Sequence, residues 1–202
     1  MKKIVFGLLT TLSVIAYSCS DNAARKQTAA QSPAPETMED TAQVKVVKAS
    51  FTSVDAGVAT YIKKLTDSYL QIKNALIAGK AAEAGDAAKN IVEAMKGFDK
   101  SLLSADQKKV YDQNEEDLKE HAEHITKSTG DIEHQREHFS MMSEDMYSLV
   151  KAFGGGKTLY HDHCPMAKNG KGAMWLSETK EIKNPYLGEK MMECGELEEE
   201  IQ

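Results

Sequence analysis

The middle of the chain carries a helical repeat of apolar positions. Apolar side chains recur at spacings of three and four residues in four stretches, at about residues 54–78, 80–98, 104–125 and 131–153. Between Pro35 and Pro165 there is no proline to interrupt them. Because only a few residues separate the stretches, consecutive helices should be antiparallel. The pattern predicts a mainly α fold, with an antiparallel up-down four-helix bundle over residues 51–153.

A different pattern follows the bundle. Gly154, Gly155 and Gly156 end the fourth stretch, and glycine and proline recur through residues 154–202. This predicts a loop-rich C-terminal module that contains cysteine, methionine and histidine. The acidic run at residues 196–200 is predicted to be a solvated end. Bundle and module together are predicted to form a single domain over residues 51–202.

The first 18 residues have the pattern of a signal peptide. Lys2 and Lys3 precede an apolar run at residues 4–16, which is shorter than the ~20 residues that a membrane-spanning helix needs. The run leads to Ala16-Tyr17-Ser18-Cys19, which resembles the bacterial lipobox, whose cysteine is lipid-modified. We expect Cys19 to be the lipidation site of a periplasm-facing lipoprotein, with the outer membrane as its location. The alternative is an ordinary secretory signal followed by a coincidental cysteine.

Residues 19–50 have the composition of a flexible tether. They are rich in Ala, Ser, Thr and Gln, contain Pro33 and Pro35, and show no sustained apolar period. A coil of this length has a mean reach of ~30 Å. The sequence therefore predicts a folded part that is held near its membrane by the N-terminal lipid anchor.

Composition and charge exclude several classes of function. The chain has 25 Lys and Arg against 31 Asp and Glu, so it offers no basic field for nucleic acid. A di-iron bundle needs Glu-x-x-His on two helices, whereas this chain offers only Asp131-x-x-His134. The Gly-x-Ser-x-Gly and phosphate-loop motifs are also missing from the sequence. We expect a binding protein and no enzyme.

Sulfur and imidazole side chains concentrate in two short segments of the C-terminal module. These segments supply the candidate ligands His161, His163, Cys164, Met166, Met191 and Cys194. Thiolate and thioether favour Cu(I) or Ag(I), and thiolate with imidazole also binds Zn(II). The two cysteines are too far apart in sequence for a zinc ribbon, and a disulfide suits an exported protein equally well. Spacing alone leaves metal site and disulfide open.

The remaining histidines lie on the third and fourth predicted helices. His121 and His124 are three residues apart, and His134 and His138 are four apart, so each pair shares a helix face. If the turn centres near Thr129, His124 is level with His134, and His121 with His138. Four imidazoles can then meet, and Met142 can add a thioether. The alternative is a set of solvated surface histidines.

Several strings of the chain resemble the domain of unknown function 3347 family over about residues 55–202. They are Cys164-Pro165-Met166-Ala167, the segments at 172–177 and 182–188, Met191, Cys194-Gly195, and the hairpin strings at 121–125 and 134–139. This family comprises exported bacterial proteins and domains appended to periplasmic adaptors of copper and silver efflux pumps. The resemblance implies periplasmic copper or silver handling, with Cys164, Met166, Met191 and Cys194 as the matching positions.

The sequence therefore predicts a periplasmic lipoprotein that binds a soft metal ion, copper(I) or silver(I). The ion would be sequestered, or handed to an efflux-pump adaptor or another periplasmic copper protein. The expected ligands are the six side chains of the C-terminal module together with the four hairpin histidines. The alternatives are a disulfide-stapled helical interaction module without metal, and a zinc site formed by His163 and the two cysteines.

Overall fold

The computed structural model of the protein describes residues 44–202. The predicted signal peptide, the predicted lipidation site Cys19 and the predicted tether up to residue 43 lie outside the described residues.

Four long helices form where the apolar periodicity predicts them. They are α1 (Ala56–Ile77), α2 (Ala81–Lys96), α3 (Ala105–Lys127) and α4 (Ile132–Phe153). A capping box begins α3: the Ser104 side chain accepts from the backbone N–H of Gln107, and the Gln107 side chain accepts from the backbone N–H of Ser104. Asp55 caps α1 by accepting from the Gly57 N–H at 2.7 Å. These caps satisfy N–H groups that the helices leave free.

The four helices pack into a bundle around a continuous apolar core. Each helix contacts the next one in the chain, and α1 also contacts α4. The largest fully buried side chains of the helices are Tyr69, Tyr111, Phe139, Ile62, Leu65, Ile72, Leu76, Ile91, Leu118, Ile125 and Met142. The predicted mainly helical fold is confirmed. In the part of the chain that the structure describes, no helix combines the length and the apolar character needed to cross a bilayer.

The C-terminal part contains a four-stranded sheet, which corrects the prediction of a loop-rich module. The strands are β1 (Lys45–Val47), β2 (Leu159–Cys164), β3 (Ala173–Ser177) and β4 (Glu196–Ile201), in the order β1-β4-β2-β3. Strand β2 pairs antiparallel with β3 and β4, and β1 pairs parallel with β4. A short helix, α5 (Ala167–Gly170), lies between β2 and β3. The strands are only three to six residues long, which is too short for a period of two to be recognised.

The acidic run at the C-terminus is strand β4 and not a solvated end. Glu199 is buried, and its carboxylate accepts hydrogen bonds from Lys45 Nζ at 2.6 Å and from the Tyr147 hydroxyl at 2.7 Å. Burial raises the pKa of Glu199, but the hydrogen bonds from Lys45 and Tyr147 outweigh it and lower the pKa to about 2. Lys180 pairs with Glu200 at 3.2 Å. Cations from elsewhere in the chain therefore let this run enter a sheet.

The predicted tether is also too long at its C-terminal end. Residues 45–47 form β1, and the backbone N–H groups of Ser50 and Phe51 donate to the carbonyls of Lys151 and Ala152, each at 2.9 Å. The folded part therefore begins before residue 50. Two valines alone carry too little pattern to reveal a strand whose partner lies about 150 residues later in sequence.

The sheet packs against the bundle through β3 and α4. Trp175 of β3 is fully buried, and its ring meets that of Tyr186 edge-on, with centroids 6.0 Å apart. The backbone N–H of Leu176 donates to the Tyr69 hydroxyl of α1 at 3.0 Å. Trp175 therefore belongs to the core where sheet and bundle meet.

One carboxyl group is buried in the sheet. Asp162 of β2 is fully buried, and neither of its carboxylate oxygens meets a hydrogen-bond donor among residues 44–202. Burial raises the pKa of Asp162 to about 8, although the charge of Lys73 opposes the shift. The folded protein therefore holds Asp162 in its neutral, protonated form at pH 7.

We expect Asp162→Asn to change how stability depends on pH. The folded protein retains the Asp162 proton up to about pH 8, whereas an unfolded aspartate releases it near about pH 4. As pH rises between these values, the unfolding free energy of the parent should fall relative to the variant by up to ~1.4 kcal/mol per pH unit. Urea denaturation of both proteins across this range measures the difference. Parallel pH profiles would contradict the assignment.

Candidate metal centre

The structure brings together the four histidines of the α3–α4 hairpin, which we call the imidazole cluster: His121, His124, His134 and His138. The rings of His124 and His138 stack with centroids 4.1 Å apart and planes 11° apart. His134 meets His138 edge-on at 4.6 Å. His121 Nδ1 lies 3.1 Å from His138 Nδ1. The four rings therefore form one continuous group, as their spacing around the turn allows.

Local sequence explains this meeting. Helix α3 ends at Lys127 and α4 begins at Ile132, where the Asp131 side chain caps α4 by accepting from the His134 N–H at 3.1 Å. The connection is short, so residues equally distant from it lie side by side on the two helices. Two histidines on each helix then converge on one patch.

Three members of the imidazole cluster can hold one metal ion. His124, His134 and His138 each offer a ring nitrogen, and these three nitrogens lie within 4.8 Å of one another. Nitrogen ligands at ~2.0–2.1 Å from a tetrahedral ion lie ~3.3–3.4 Å apart. Small side-chain rotations can close the difference because the three residues are only partly buried. A three-imidazole site leaves a fourth position for His121 or another ligand.

Burial lowers the pKa of two histidines of the imidazole cluster, His138 and His121. The pKa of His138 is lowered to about 4, first by burial and then by the neighbouring rings of His124, His134 and His121. Burial also lowers the pKa of His121. Neutral imidazole is the form that binds metal. His138 is therefore already neutral at neutral pH, and it can bind a metal ion without releasing a proton.

Two glutamates lie beside the imidazole cluster. Glu120 lies 3.8 Å from His124 Nε2, and Glu137 lies 3.7 Å from His134 Nδ1. Such groups orient metal-binding imidazoles and raise their basicity. Each glutamate is one helical turn from its histidine. The sequence therefore predicts both contacts once the imidazole cluster is known.

Another titratable group on α4 went unrecognised in the sequence. Burial, together with the charges of Asp117 and Glu144, raises the pKa of Asp145 to about 7. The negative charges of Asp117 and Glu144 also act on His121, and they oppose the lowering of its pKa. Sequence alone offers no sign that one aspartate among many is partly buried.

Met142 does not extend the imidazole row. Its side chain is fully buried in the core of the bundle. The thioether suggested by its spacing from His138 therefore packs against apolar neighbours.

The cysteines of the C-terminal module form a disulfide. Cys164 and Cys194 are bonded, with their Cα atoms 5.7 Å apart, and Cys164 is fully buried. Of the two alternatives that spacing leaves open, the structure contains the disulfide. Disulfide sulfurs are not thiolates, so the expected ligand set with Cys164 and Cys194 is not formed in this oxidised state. Met166 and Met191 lie nearby in sequence and are exposed at 54% and 38%.

His161 and His163 of β2 face a glutamate of β4. The Nδ1 atoms of His161 and His163 lie 3.4 Å and 3.6 Å from the two carboxylate oxygens of Glu198. The Tyr147 ring stacks on His161 with centroids 4.4 Å apart. The sequence pattern indicates both histidines but not Glu198, because an acidic run at residues 196–200 predicts a solvated end.

Comparison with protein families supports the predicted resemblance. Residues 65–158 match the family described as "Protein of unknown function (DUF3347)". The match contains α2, α3 and α4 with the whole imidazole cluster, and it ends before the strand that carries Cys164. Comparison with curated proteins and with solved structures gave no match. The predicted resemblance is confirmed over the matched range.

The pKa of His138 provides a direct test of the cluster without metal. We expect His138 to stay neutral until the pH approaches about 4. An unfolded histidine accepts a proton near 6.5, so the unfolding free energy should fall as pH drops from that value towards the pKa of His138. In His124→Asn, which removes a like charge, the pKa of His138 should rise. Titration of the ring resonances by NMR measures both values, and an ordinary pKa for His138 in the parent would refute the packing.

Proposed function

We propose that this relative of the DUF3347 proteins of unknown function is a metal-binding protein that holds a transition-metal ion in its imidazole cluster. The observation that carries this proposal is the convergence of three ring nitrogens, from His124, His134 and His138, within 4.8 Å. The pKa of His138, lowered to about 4, supports it, because that imidazole is neutral and ready to bind.

Donor chemistry points to copper as the ion. Imidazole binds copper, zinc, iron and nickel, and among divalent first-row ions Cu²⁺ binds most tightly to a given nitrogen site. Copper is therefore the proposed ion, silver(I) its proposed soft congener, and zinc the alternative. The binding is proposed for sequestration or hand-off and not for catalysis.

The sulfur-rich module is proposed as a second, redox-dependent site for Cu(I) or Ag(I). Reduction of the Cys164–Cys194 bond by a dithiol would give two thiols, with the exposed thioethers of Met166 and Met191 within three residues of them. Thiolate and thioether are the donors that soft monovalent ions prefer. If reduction yields no such site, a disulfide-stapled interaction module remains the better description of this part.

The proposed setting follows from the first residues of the chain. We propose a lipoprotein anchored through Cys19, facing the periplasm from the outer membrane and passing its ion to an efflux adaptor or another periplasmic copper protein. We also propose an antiparallel up-down order for the bundle. The proximity of His124 to His134 and of His121 to His138 supports that order for α3 and α4.

Metal binding by the imidazole cluster can be tested on the oxidised full chain. We expect the parent to bind one Cu²⁺ at this cluster in competition with a chromogenic chelator. His134→Asn combined with His138→Asn should weaken this binding by about tenfold or more, because two of three ligands are lost.

The matched control is Gln113→Asn, an exposed position about 16 Å along α3 from His124, which should bind like the parent. Equal binding by the double variant would place the metal elsewhere. Failure of the parent to compete would favour the interaction module.

Reduction should add a second equivalent of monovalent metal. We expect the reduced chain, freed of reductant and kept anaerobic, to bind one more Cu(I) than the oxidised chain, since reduction exposes two soft thiol ligands. Cys164→Ser combined with Cys194→Ser should abolish the gain while leaving the imidazole cluster intact. The same stoichiometry before and after reduction, measured by metal analysis, would eliminate the sulfur site.

A further inference from the structure

The His138 ring touches the other three members of the imidazole cluster. The His124 ring stacks on its face with centroids 4.1 Å apart, and the His134 ring meets it edge-on. His121 approaches its edge, where the two Nδ1 atoms are 3.1 Å apart. This distance is that of a hydrogen bond. One Nδ1 therefore carries a hydrogen and the other accepts it.

Metal binding by His138 decides which nitrogen is the donor. A neutral imidazole has one N–H group and one free lone pair, and a metal ion takes the lone pair. If His138 Nδ1 donates to His121, His138 Nε2 is free for the ion. In the opposite arrangement, His138 carries its hydrogen on Nε2 and uses its only lone pair to accept from His121. A metal-binding His138 that keeps this hydrogen bond is therefore the donor, and His121 is the acceptor.

His121 does not itself join the converging nitrogens. Those of His124, His134 and His138 lie within 4.8 Å of one another. Among residues 44–202, no group of three or more ligand residues that includes His121 meets this limit, and no further His, Cys, Asp or Glu joins the three. His121 thus contacts one proposed ligand without sharing the position of the ion.

The other two proposed ligands each have a carboxylate beside one ring nitrogen. Glu120 lies 3.8 Å from His124 Nε2, and Glu137 lies 3.7 Å from His134 Nδ1. His138 has His121 in the corresponding place. In metal sites, the group that accepts from the second nitrogen of a ligand fixes the tautomer and the orientation of that ligand. His121 is placed to do this for His138.

The surroundings of His121 favour its acting as an acceptor. The negative charges of Glu120, Asp117 and Glu144 all act on its ring. Nearby negative charge makes an imidazole more basic, and a more basic nitrogen accepts a hydrogen bond more strongly. These carboxylates therefore strengthen the hydrogen bond that orients His138.

We propose that His121 is a positioning residue, which accepts the Nδ1–H of His138 and thereby presents His138 Nε2 to the metal ion. The ion then has three imidazole ligands, and water fills its fourth position. An incoming imidazole ligand can displace this water before the three histidines release the ion. The inference rests on the proposed function, and it adds how the bound ion is exchanged.

The tautomer of His138 is measured on the metal-free, oxidised full chain. NMR correlation of the ring protons and nitrogens distinguishes Nδ1–H from Nε2–H imidazole. We expect Nδ1–H in the parent and a shift towards Nε2–H in His121→Leu, which cannot accept the hydrogen bond. His121→Gln is the matched control, because its carbonyl oxygen can accept and should retain more of the Nδ1–H form. An Nε2–H imidazole at His138 in the parent would overturn the proposal.

Copper binding provides the second test. With one equivalent of Cu²⁺, His121→Leu should bind about tenfold or more weakly than the parent, and His121→Gln should bind more tightly than His121→Leu. Electron paramagnetic resonance should show the same number of nitrogen ligands in all three proteins. Added free imidazole should contribute one more nitrogen to the spectrum of the parent.

Three results would contradict the proposal. Loss of one nitrogen in His121→Leu would make His121 a ligand. Equal affinity of His121→Leu and the parent would exclude a positioning role. A spectrum that does not change with free imidazole would exclude an exchangeable fourth position. Failure of the parent to bind Cu²⁺ would instead refute the proposed function, and the NMR result would still decide whether His121 orients His138.

Discussion

A buried chain of hydroxyl groups fixes the relation between the bundle and the sheet. The Tyr69 hydroxyl of α1 accepts from the Leu176 N–H of β3 at 3.0 Å and lies 2.8 Å from Ser143 Oγ of α4, which in turn lies 3.3 Å from the Tyr186 hydroxyl. Buried polar networks of this kind specify one arrangement, because any other leaves polar groups unpaired. The hydroxyl chain therefore joins α1, α4, β3 and the loop that carries Tyr186 in one arrangement.

Helix α4 connects the imidazole cluster with the sheet. It contributes His134 and His138 to the imidazole cluster, and nine residues later Tyr147 stacks on His161 of β2. Nine residues of helix span ~14 Å. A single helix therefore sets the distance between the imidazole cluster and strand β2.

Local patterns in the sequence predict the helices and the α3–α4 hairpin. They do not predict the pairing of strands that are far apart in the sequence. The capping box at Ser104 and the level positions of His121 and His138 follow from spacing alone. Strand β4 cannot be predicted from spacing. Its Glu199 is buried against Lys45, which supplies an opposite charge and lies far away in sequence. The β-bulge at which β4 skips Glu198 in its pairing with β2 depends on strand register, and the choice between disulfide and metal at Cys164 depends on a distance that no spacing encodes.

The parallel pairing of β1 with β4 determines how the folded part would respond to mechanical force. The chain enters the described fold through Lys45–Val47, a three-residue edge strand, so tension from the preceding residues acts first on that strand. Strand β2, in contrast, is paired on both sides and closed by the disulfide at Cys164. Under load β1 would detach while β2 and its histidines keep their places. Loss of this edge strand would leave β4, β2 and β3 paired with one another.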